Sequence, residues 1–358
     1  MNKIKNNNIM KLLTVLLLSL TLLSCGDKKD VSVSKPGGQI NGAGATFPYP
    51  IYSKWFNEYA KINKDAKINY QSIGSGGGIK QITEGTVDFG ASDSPMSDED
   101  ISKANAKNNN KILHIPTVIG SVVLTYNIPG IDKNINLSSE AISGIYLGKI
   151  KKWNDPVIQK ENPETKLPDK EIIVTYRTDG SGTTFVFTDY LGKVSEEWKS
   201  KVGVAKDVKF PIGQGGKGNE GVTGLVKQLE YSIGYVELIY ALQNNLKYAN
   251  VKNTEGEFIS PDLESLTKAA EQSVNEIPAD LRQSITNAKG KGSYPISSYT
   301  YILIYENQKD PNKGKVMKEF LQWALGDGEK FAKDLGYAPL PDAVVKKANT
   351  IVTGIKIQ

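Results

Sequence analysis

The sequence predicts an α/β protein whose alternating strands and helices are arranged in two lobes. Three observations lead there. Apolar residues switch repeatedly between period-two runs and helix-spaced runs along the chain. Glycine- and hydroxyl-rich turns run into amphipathic helices at three places: Gly42-Ala43-Gly44-Ala45-Thr46-Phe47-Pro48, Gly74-Ser75-Gly76-Gly77-Gly78 and Asp179-Gly180-Ser181-Gly182-Thr183. Residues 39–358 also exceed the roughly 250–300 residues at which a single hydrophobic core stops growing.

Residues 1–24 read as an export signal. Lys3, Lys5 and Lys11 supply its positive end, and the apolar run Leu12 to Leu23 falls short of the roughly 20 residues a spanning helix needs. Leu22-Leu23-Ser24-Cys25 follows, the pattern at which bacterial lipoproteins are cleaved and acylated. Cys25 is the only cysteine, so an intrachain disulfide is impossible and a lipid anchor is its expected role. Cleavage there removes three lysines and no acid, lowering the formal charge from +5 to +2. Residues 25–38 are polar and rich in lysine, serine and glycine, as suits a flexible tether.

In the body, Tyr52, Trp55, Phe56 and Tyr59 repeat at helical spacing, and Lys67 to Ile73 alternate like a strand entering the second glycine turn. A short helix carrying Ile79 and Ile82 should end at Gly85, and Thr86 to Ala91 reads as a strand delivering Ser92-Asp93. Asn108-Asn109-Asn110 reads as a solvated loop. Two long extended stretches, Ile115 to Tyr126 and Tyr294 to Tyr305, are the expected crossings between lobes. That places one lobe in residues 39–118 and 297–358 and the other in 119–296. Ile172 to Tyr176 forms a strand that delivers Arg177 and the third turn. Val186, Phe187, Tyr190 and Leu191 then mark a helix with Gly192 as its stop.

Composition excludes several function classes. The lysines are scattered among nearly as many acids, without the basic stripe of a nucleic-acid binder. His114 is the only histidine and lies in an apolar run, so a Cys/His zinc site lacks ligands and His114 reads as structural. No cofactor is expected. Gly213-Gln214-Gly215-Gly216-Lys217-Gly218 has the glycine spacing of a dinucleotide loop, with Glu237 about 20 residues on. The preceding Asp207 to Ile212 is a poor strand, so a structural turn is the better reading. No serine has the glycine flanks of a hydrolase nucleophile elbow.

The positive clue is the set of three turns. A helix start leaves its first amides unpaired and carries partial positive charge, so three starts converging make an oxyanion site. Of 44 basic residues only Arg177 and Arg282 are arginine. A guanidinium at the third turn offers a planar fork to two anion oxygens, and Asp179 can hold that fork; the pair reads equally as a helix cap at the surface. Thr46 and Ser75 either cap the helices they precede or donate to a ligand. Phe47 offers a backbone amide, and its ring a wall for the cleft. Asp93 repels a bare anion, but its ionised carboxylate can accept the proton that phosphate still carries near neutral pH. Sulfate has no such proton, so Asp93 predicts selectivity by repulsion. As a helix cap before Asp98-Glu99-Asp100, Ser97 is better placed than Asp93.

Taken with Val87-Asp88-Phe89-Gly90-Ala91-Ser92-Asp93 and Ile145-Tyr146-Leu147-Gly148-Lys149-Ile150-Lys151-Lys152-Trp153, the first and third turns resemble the phosphate-binding proteins of bacterial phosphate ABC transporters. Pro211 through Asn219 and Ile233-Gly234-Tyr235-Val236-Glu237 extend the resemblance over nearly the whole mature chain. It implies a two-lobed periplasmic-binding-protein fold of the type-two kind, hinged by two strands, with phosphate between the lobes. It implies ligand contacts from Thr46, Phe47, Ser75, Asp93, Arg177, Asp179, Ser181, Gly182 and Thr183, and delivery to permease subunits coupled to a cytoplasmic ATPase. The lipoprotein signal implies a membrane tether where the family is soluble. The rival readings are a receptor for sulfate, molybdate or another oxyanion, a phosphomonoesterase using Ser75 or Ser181, and an adhesive surface lipoprotein.

Overall fold

The computed structural model describes residues 39–358. The signal, Cys25 and the tether lie outside the described residues. The first half of the chain builds β1 (Ile40–Gly44), α1 (Tyr49–Ile62), β2 (Ile68–Ser72), α2 (Ser75–Glu84), β3 (Phe89–Ser92), α3 (Asp98–Asn108) and β4 (Ile112–Asn127). Next come β5 (Asn136–Leu137), α4 (Ser139–Tyr146), α5 (Pro156–Glu161), β6 (Ile173–Arg177), α6 (Gly182–Val194) and α7 (Glu196–Lys201). The chain continues through β7 (Gln214–Gly216), α8 (Gly218–Gln228), β8 (Ser232–Glu237), α9 (Leu238–Gln243), β9 (Lys247–Tyr248), β10 (Asn250–Lys252) and β11 (Phe258–Ile259). It closes with α10 (Leu263–Glu271), β12 (Ser297–Tyr305), β13 (Asn307–Gln308), α11 (Pro311–Ala324), α12 (Asp342–Thr353) and β14 (Lys356–Ile357).

One mixed sheet runs in the order β2-β1-β3-β12-β4-β8-β6-β7. Both its ends are parallel, β2-β1-β3 on one side and β8-β6-β7 on the other, joined by the antiparallel pairs of β12 and β4. β4 changes partner in mid-course: its residues up to Ser121 pair with β12, and from Val122 onward with β8. The strand needs 16 residues to reach both neighbourhoods, and it is buried along nearly its whole length. That matches its near-continuous apolar run, the mark of a strand covered on both faces. Just before β12, Ile296 carbonyl oxygen accepts from the Val122 amide and Tyr294 Oη donates to the Val122 carbonyl at 2.9 Å, tying both extended segments together at the partner change.

Local sequence accounts for most elements. Tyr52, Trp55, Phe56 and Tyr59 are all buried along α1, where they pack with Tyr70, Phe89, Phe320 and Trp323 as an aromatic cluster. Gly85 ends α2 in the left-handed conformation at φ 71°. Ser97 caps α3 by accepting from the Asp100 amide, as its position predicts.

Three expectations are corrected. Gly192 does not stop its helix, because α6 continues to Val194; a Cβ at Gly192 would meet Val204 Cγ2 at 2.6 Å, so close packing explains the glycine. Asn108 to Asn110 are not a loose loop. Asn109 takes the left-handed C-cap of α3, Asn108 Nδ2 donates to Tyr305 Oη at 2.6 Å, and Asn110 pairs with Asn307. Asparagine tolerates the left-handed region and carries both a donor and an acceptor, which suits it to a cap as well as to a loop. The strand read over Thr86 to Ala91 begins only at Phe89, because Thr86 is held at the end of α2, its amide and hydroxyl both donating to the Gln81 carbonyl.

Candidate functional site

β1, β3 and β6 all end at the same edge of the fold, and each delivers one part of a buried polar cluster. Close approach of backbones makes it possible. A Cβ on Gly78 would lie 2.5 Å from Gly44 Cα and 2.6 Å from the Ala43 carbonyl oxygen, so only glycine lets the first turn of α2 rest against β1. The first turn of α2 in turn meets the third glycine turn, where the Gly76 amide donates to the Gly180 carbonyl at 2.7 Å. Gly182 opens α6 so close to Ser75 and Asp93 that a Cβ there would overlap both.

The helix starts carry unpaired amides. Among the described residues, the N–H groups of Phe47, Ser75, Gly182 and Thr183 make no backbone hydrogen bond, whereas the Ser181 amide is occupied by the Lys206 carbonyl at 2.8 Å. Capping does not account for the hydroxyls of Thr46 and Ser75. Pro48 and Gly74 hold the cap positions of α1 and α2 with no side-chain cap bond. Ser75 is instead the first residue of α2. Its Oγ lies 3.4 Å from Asp93 Oδ2 and accepts from the Asp93 amide at 3.3 Å. Ser181 does cap, accepting from the Thr184 amide at 3.0 Å, which leaves its hydroxyl hydrogen free to donate elsewhere.

Arg177 is buried at the end of β6. Nε donates to Asp179 Oδ1 at 2.8 Å, Nη2 to Asp179 Oδ2 at 2.5 Å and Nη1 to Thr183 Oγ1 at 3.2 Å. Of the two open readings of this pair, the surface cap fails because the guanidinium is almost completely enclosed. Asp179 Oδ1 also accepts from the Gly218 amide at 3.0 Å. Burial pushes the Asp179 carboxyl up, but the bonds and charge of Arg177 outweigh it and hold the carboxyl below its ordinary value.

Asp93 sits across the cluster at the end of β3, almost wholly buried. Burial pushes its carboxyl up to about 7, against the pull of the Thr300 hydroxyl and of Arg177. Thr300 Oγ1 donates to Asp93 Oδ1 at 2.8 Å. The donor is aimed by a β-bulge: the register of β12 against β4 shifts between Thr300 and Tyr301, leaving Thr117 unpaired in the ladder and placing Pro116 where the ladder is interrupted.

Thr46 and Phe47 complete the cluster. The ring of Phe47 is buried under β4, where a Cβ on Gly120 would overlap it, and its carbonyl accepts from Tyr337 Oη at 2.6 Å. The Thr46 carbonyl accepts from Tyr240 Oη at 2.5 Å. All nine predicted site residues therefore fall in one neighbourhood. Geometry adds others that sequence reasoning did not single out: Asn219, which touches both Thr46 and Thr183, Thr300 behind Asp93, and Tyr235, whose Oη accepts from the Arg177 amide at 3.1 Å. Asn219 directly follows the Gly213 to Gly218 segment, whose first and last glycines have φ 112° and 72°. The turn expected there is instead largely strand: Gln214–Gly216 form β7 beside β6, and the Gly218 amide that opens α8 holds Asp179 while Asn219 follows it. Glu237 is buried as the cap of α9, accepting from the Ile239 amide at 2.8 Å, and burial keeps its carboxyl well above the ordinary range. His114 lies elsewhere: Nε2 accepts from the Met96 amide at 3.1 Å, and burial pushes it down to about 4.

A family model described as a PBP superfamily domain matches residues 31–328. The phosphate-binding protein PstS of Pasteurella multocida (strain Pm70) is 48% identical over 309 residues, covering 86% of this chain and 88% of the relative. That of Haemophilus influenzae (strain ATCC 51907 / DSM 11121 / KW20 / Rd) is 47% identical, covering 86% and 90%. In fold, the chain is similar to the crystal structure of a phosphate-binding protein from Stenotrophomonas maltophilia, with a TM-score of 0.68 at 22% identity over 87% of this chain and 93% of that one. The mixed sheet crossed by β4 and β12 is the type-two periplasmic-binding-protein fold, and the chain belongs to the PBP superfamily and, within it, to the PstS phosphate-binding proteins.

Proposed function

We propose that the mature protein is a receptor that binds inorganic phosphate outside the cytoplasmic membrane and delivers it to the permease of a phosphate ABC transporter. The observation that carries this reading is the opposition, within one buried polar cluster, of a guanidinium fork at Arg177 and a carboxylate at Asp93. The fork and the free amides of Phe47, Ser75, Gly182 and Thr183 suit any tetrahedral oxyanion. Asp93 adds a place for one proton. Ligand contacts fall to Thr46, Phe47, Ser75, Asp93, Arg177, Ser181, Gly182 and Thr183, with Asp179 orienting Arg177.

The chain divides into lobes at 39–118 with 297–358 and at 119–296, and the change of partner along β4 at Ser121 and Val122 supports that division. Lobe closure would exclude water and so strengthen each bond to the anion. No bond in the ligand is made or broken. Permease subunits with a cytoplasmic ATPase are the partners, and Cys25 carries the lipid that holds the receptor at the membrane. Among the described residues no helix is long and apolar enough to cross a membrane.

Calorimetry with phosphate and with sulfate tests the ligand. Tight phosphate binding with weak sulfate binding is expected, and strong sulfate binding by the unsubstituted protein would overturn the reading. Turnover of a chromogenic phosphate ester by the pure protein would instead favour an enzyme. For the anchor, Cys25→Ala should move the protein from the membrane fraction to the soluble exported fraction.

A further inference from the structure

Asn219 is fully buried at the first turn of α8 and is saturated with hydrogen bonds. Its Oδ1 accepts from the Glu237 amide at 3.0 Å. A backbone N–H can only donate, so this bond fixes which end of the side-chain amide is oxygen and which is nitrogen. The NH2 group then points the other way, and its two hydrogens go to two different threonines. Nδ2 donates to Thr46 Oγ1 at 2.8 Å and to Thr183 Oγ1 at 3.2 Å.

Both hydroxyls receive a second donor. The Asn219 amide also donates to Thr46 Oγ1 at 3.2 Å, and Arg177 Nη1 donates to Thr183 Oγ1 at 3.2 Å. A hydroxyl oxygen has two acceptor sites, so both oxygens are full. Each threonine retains one hydrogen, and it has no acceptor among the described residues. Saturation of the oxygen leaves that hydrogen to be donated outward, to the ligand.

We propose that Asn219 is a positioning residue that fixes the Thr46 and Thr183 hydroxyls as donors, so that these two positions accept only unprotonated oxygens of the bound anion and its proton-bearing oxygen is directed to Asp93. The inference rests on the phosphate-binding reading above. It assigns the orientation of the ligand's proton to a residue that need not touch the ligand. Asn219 also joins Thr46, in the 39–118 segment, to Thr183, in the 119–296 segment, so the bonds that orient the donors form together with the closed arrangement.

The test is a double-mutant cycle read by phosphate calorimetry. Thr46→Val removes the hydroxyl at constant shape and should weaken binding by about 10-fold or more, the worth of a hydrogen bond to a charged acceptor. Asn219→Asp is nearly isosteric and keeps an oxygen for the Glu237 amide, but it replaces the NH2 donor by an acceptor that draws both threonine hydrogens away from the ligand. In that background Thr46→Val should cost less than about threefold, a coupling that the shared added charge cannot produce. The pair Thr183→Val and Asn219→Asp should behave alike. Thermal unfolding without phosphate, measured on the same four proteins, separates a merely structural role, which would couple in stability and leave binding additive. Equal Thr46→Val factors in both backgrounds, with the unsubstituted protein binding phosphate normally, would overturn this inference alone. Failure of the unsubstituted protein to bind phosphate would overturn it together with the functional reading.

Discussion

Gly182 lies so close to Ser75 that a Cβ on the first would overlap the hydroxyl of the second and reach Asp93 as well. The first residue of α6 and the first residue of α2 are therefore in near contact across the site, and two helix starts face one small volume.

Gly182→Ala should obstruct that volume. The methyl meets side-chain atoms, overlapping Ser75 Oγ and Asp93 Oδ2 and lying 2.7 Å from Asp93 Cβ, so the fold can yield by moving the two helix starts apart. Phosphate affinity is expected to fall by 100-fold or more, roughly 3 kcal/mol, with unfolding in the absence of phosphate changed by under about 1 kcal/mol. Gly78→Ala is the contrast. Its methyl would press on Gly44 Cα at 2.5 Å and the carbonyls of Ala43 and Ala91 at 2.6 and 2.8 Å, so stability should drop by roughly 1–3 kcal/mol or more. Calorimetry and denaturant unfolding on both variants check the pair.

Selectivity should depend on pH. Burial places Asp93 at about 7, so below that pH its protonated form can donate to sulfate, and above it the carboxylate repels sulfate. Discrimination of phosphate over sulfate is expected to grow between pH 6 and pH 8.5, by up to about tenfold per unit above the Asp93 pKa. Asp93→Asn keeps a neutral donor at the site and should flatten that dependence while admitting sulfate. Competition binding across the pH range measures it, and unchanged selectivity in Asp93→Asn would discard the proton-accepting role.

Removal of Asp179 exposes the cost of an unpaired buried guanidinium. Asp179→Ala strips Arg177 of two bonds and Gly218 of its acceptor, and is expected to destabilise the ligand-free protein by roughly 3 kcal/mol or more. Saturating phosphate supplies a negative partner to Arg177 and should recover part of the loss beyond what it adds to the unsubstituted protein. Unfolding with and without phosphate tests this; equal stabilisation of both proteins would count against Arg177 meeting the anion.

Two buried groups should tilt stability in opposite directions over nearly the same pH window. The Asp93 carboxyl is raised from 3.8 to about 7, so its contribution is fully present below pH 4 and is lost as pH rises through 7. The His114 imidazole is lowered from 6.5 to about 4, so its contribution is present above pH 6.5 and is lost as pH falls through 4. Relative to the unsubstituted protein, Asp93→Asn should gain stability on raising the pH from 4 to 7. His114→Gln should gain on lowering it from 6.5 to 4, each by a few kcal/mol at most. Denaturant unfolding of the ligand-free proteins at pH 4, 5.5 and 7 distinguishes them, and parallel curves for all three would refute the assignment.

The sequence by itself determined the alternation of strands and helices, the aromatic face of α1, the left-handed stop at Gly85, the Ser97 cap and the three turns that gather at the site. These are written locally, in residue spacing and in the conformational freedom of glycine, so neighbours in the chain suffice to read them. Asp179 beside Arg177 was legible for the same reason, being two residues away. Tertiary structure alone decided that the Ser75 hydroxyl meets Asp93, that Thr300 is aimed at Asp93 by a bulge, and that Asn219 links Thr46 to Thr183. The bonds of Ser75, Asn219 and Thr300 join residues 18 to 207 positions apart. A lone asparagine after a glycine-rich segment carries no local sign of its partners, because hydrogen-bond saturation is a property of the packed neighbourhood and not of the chain.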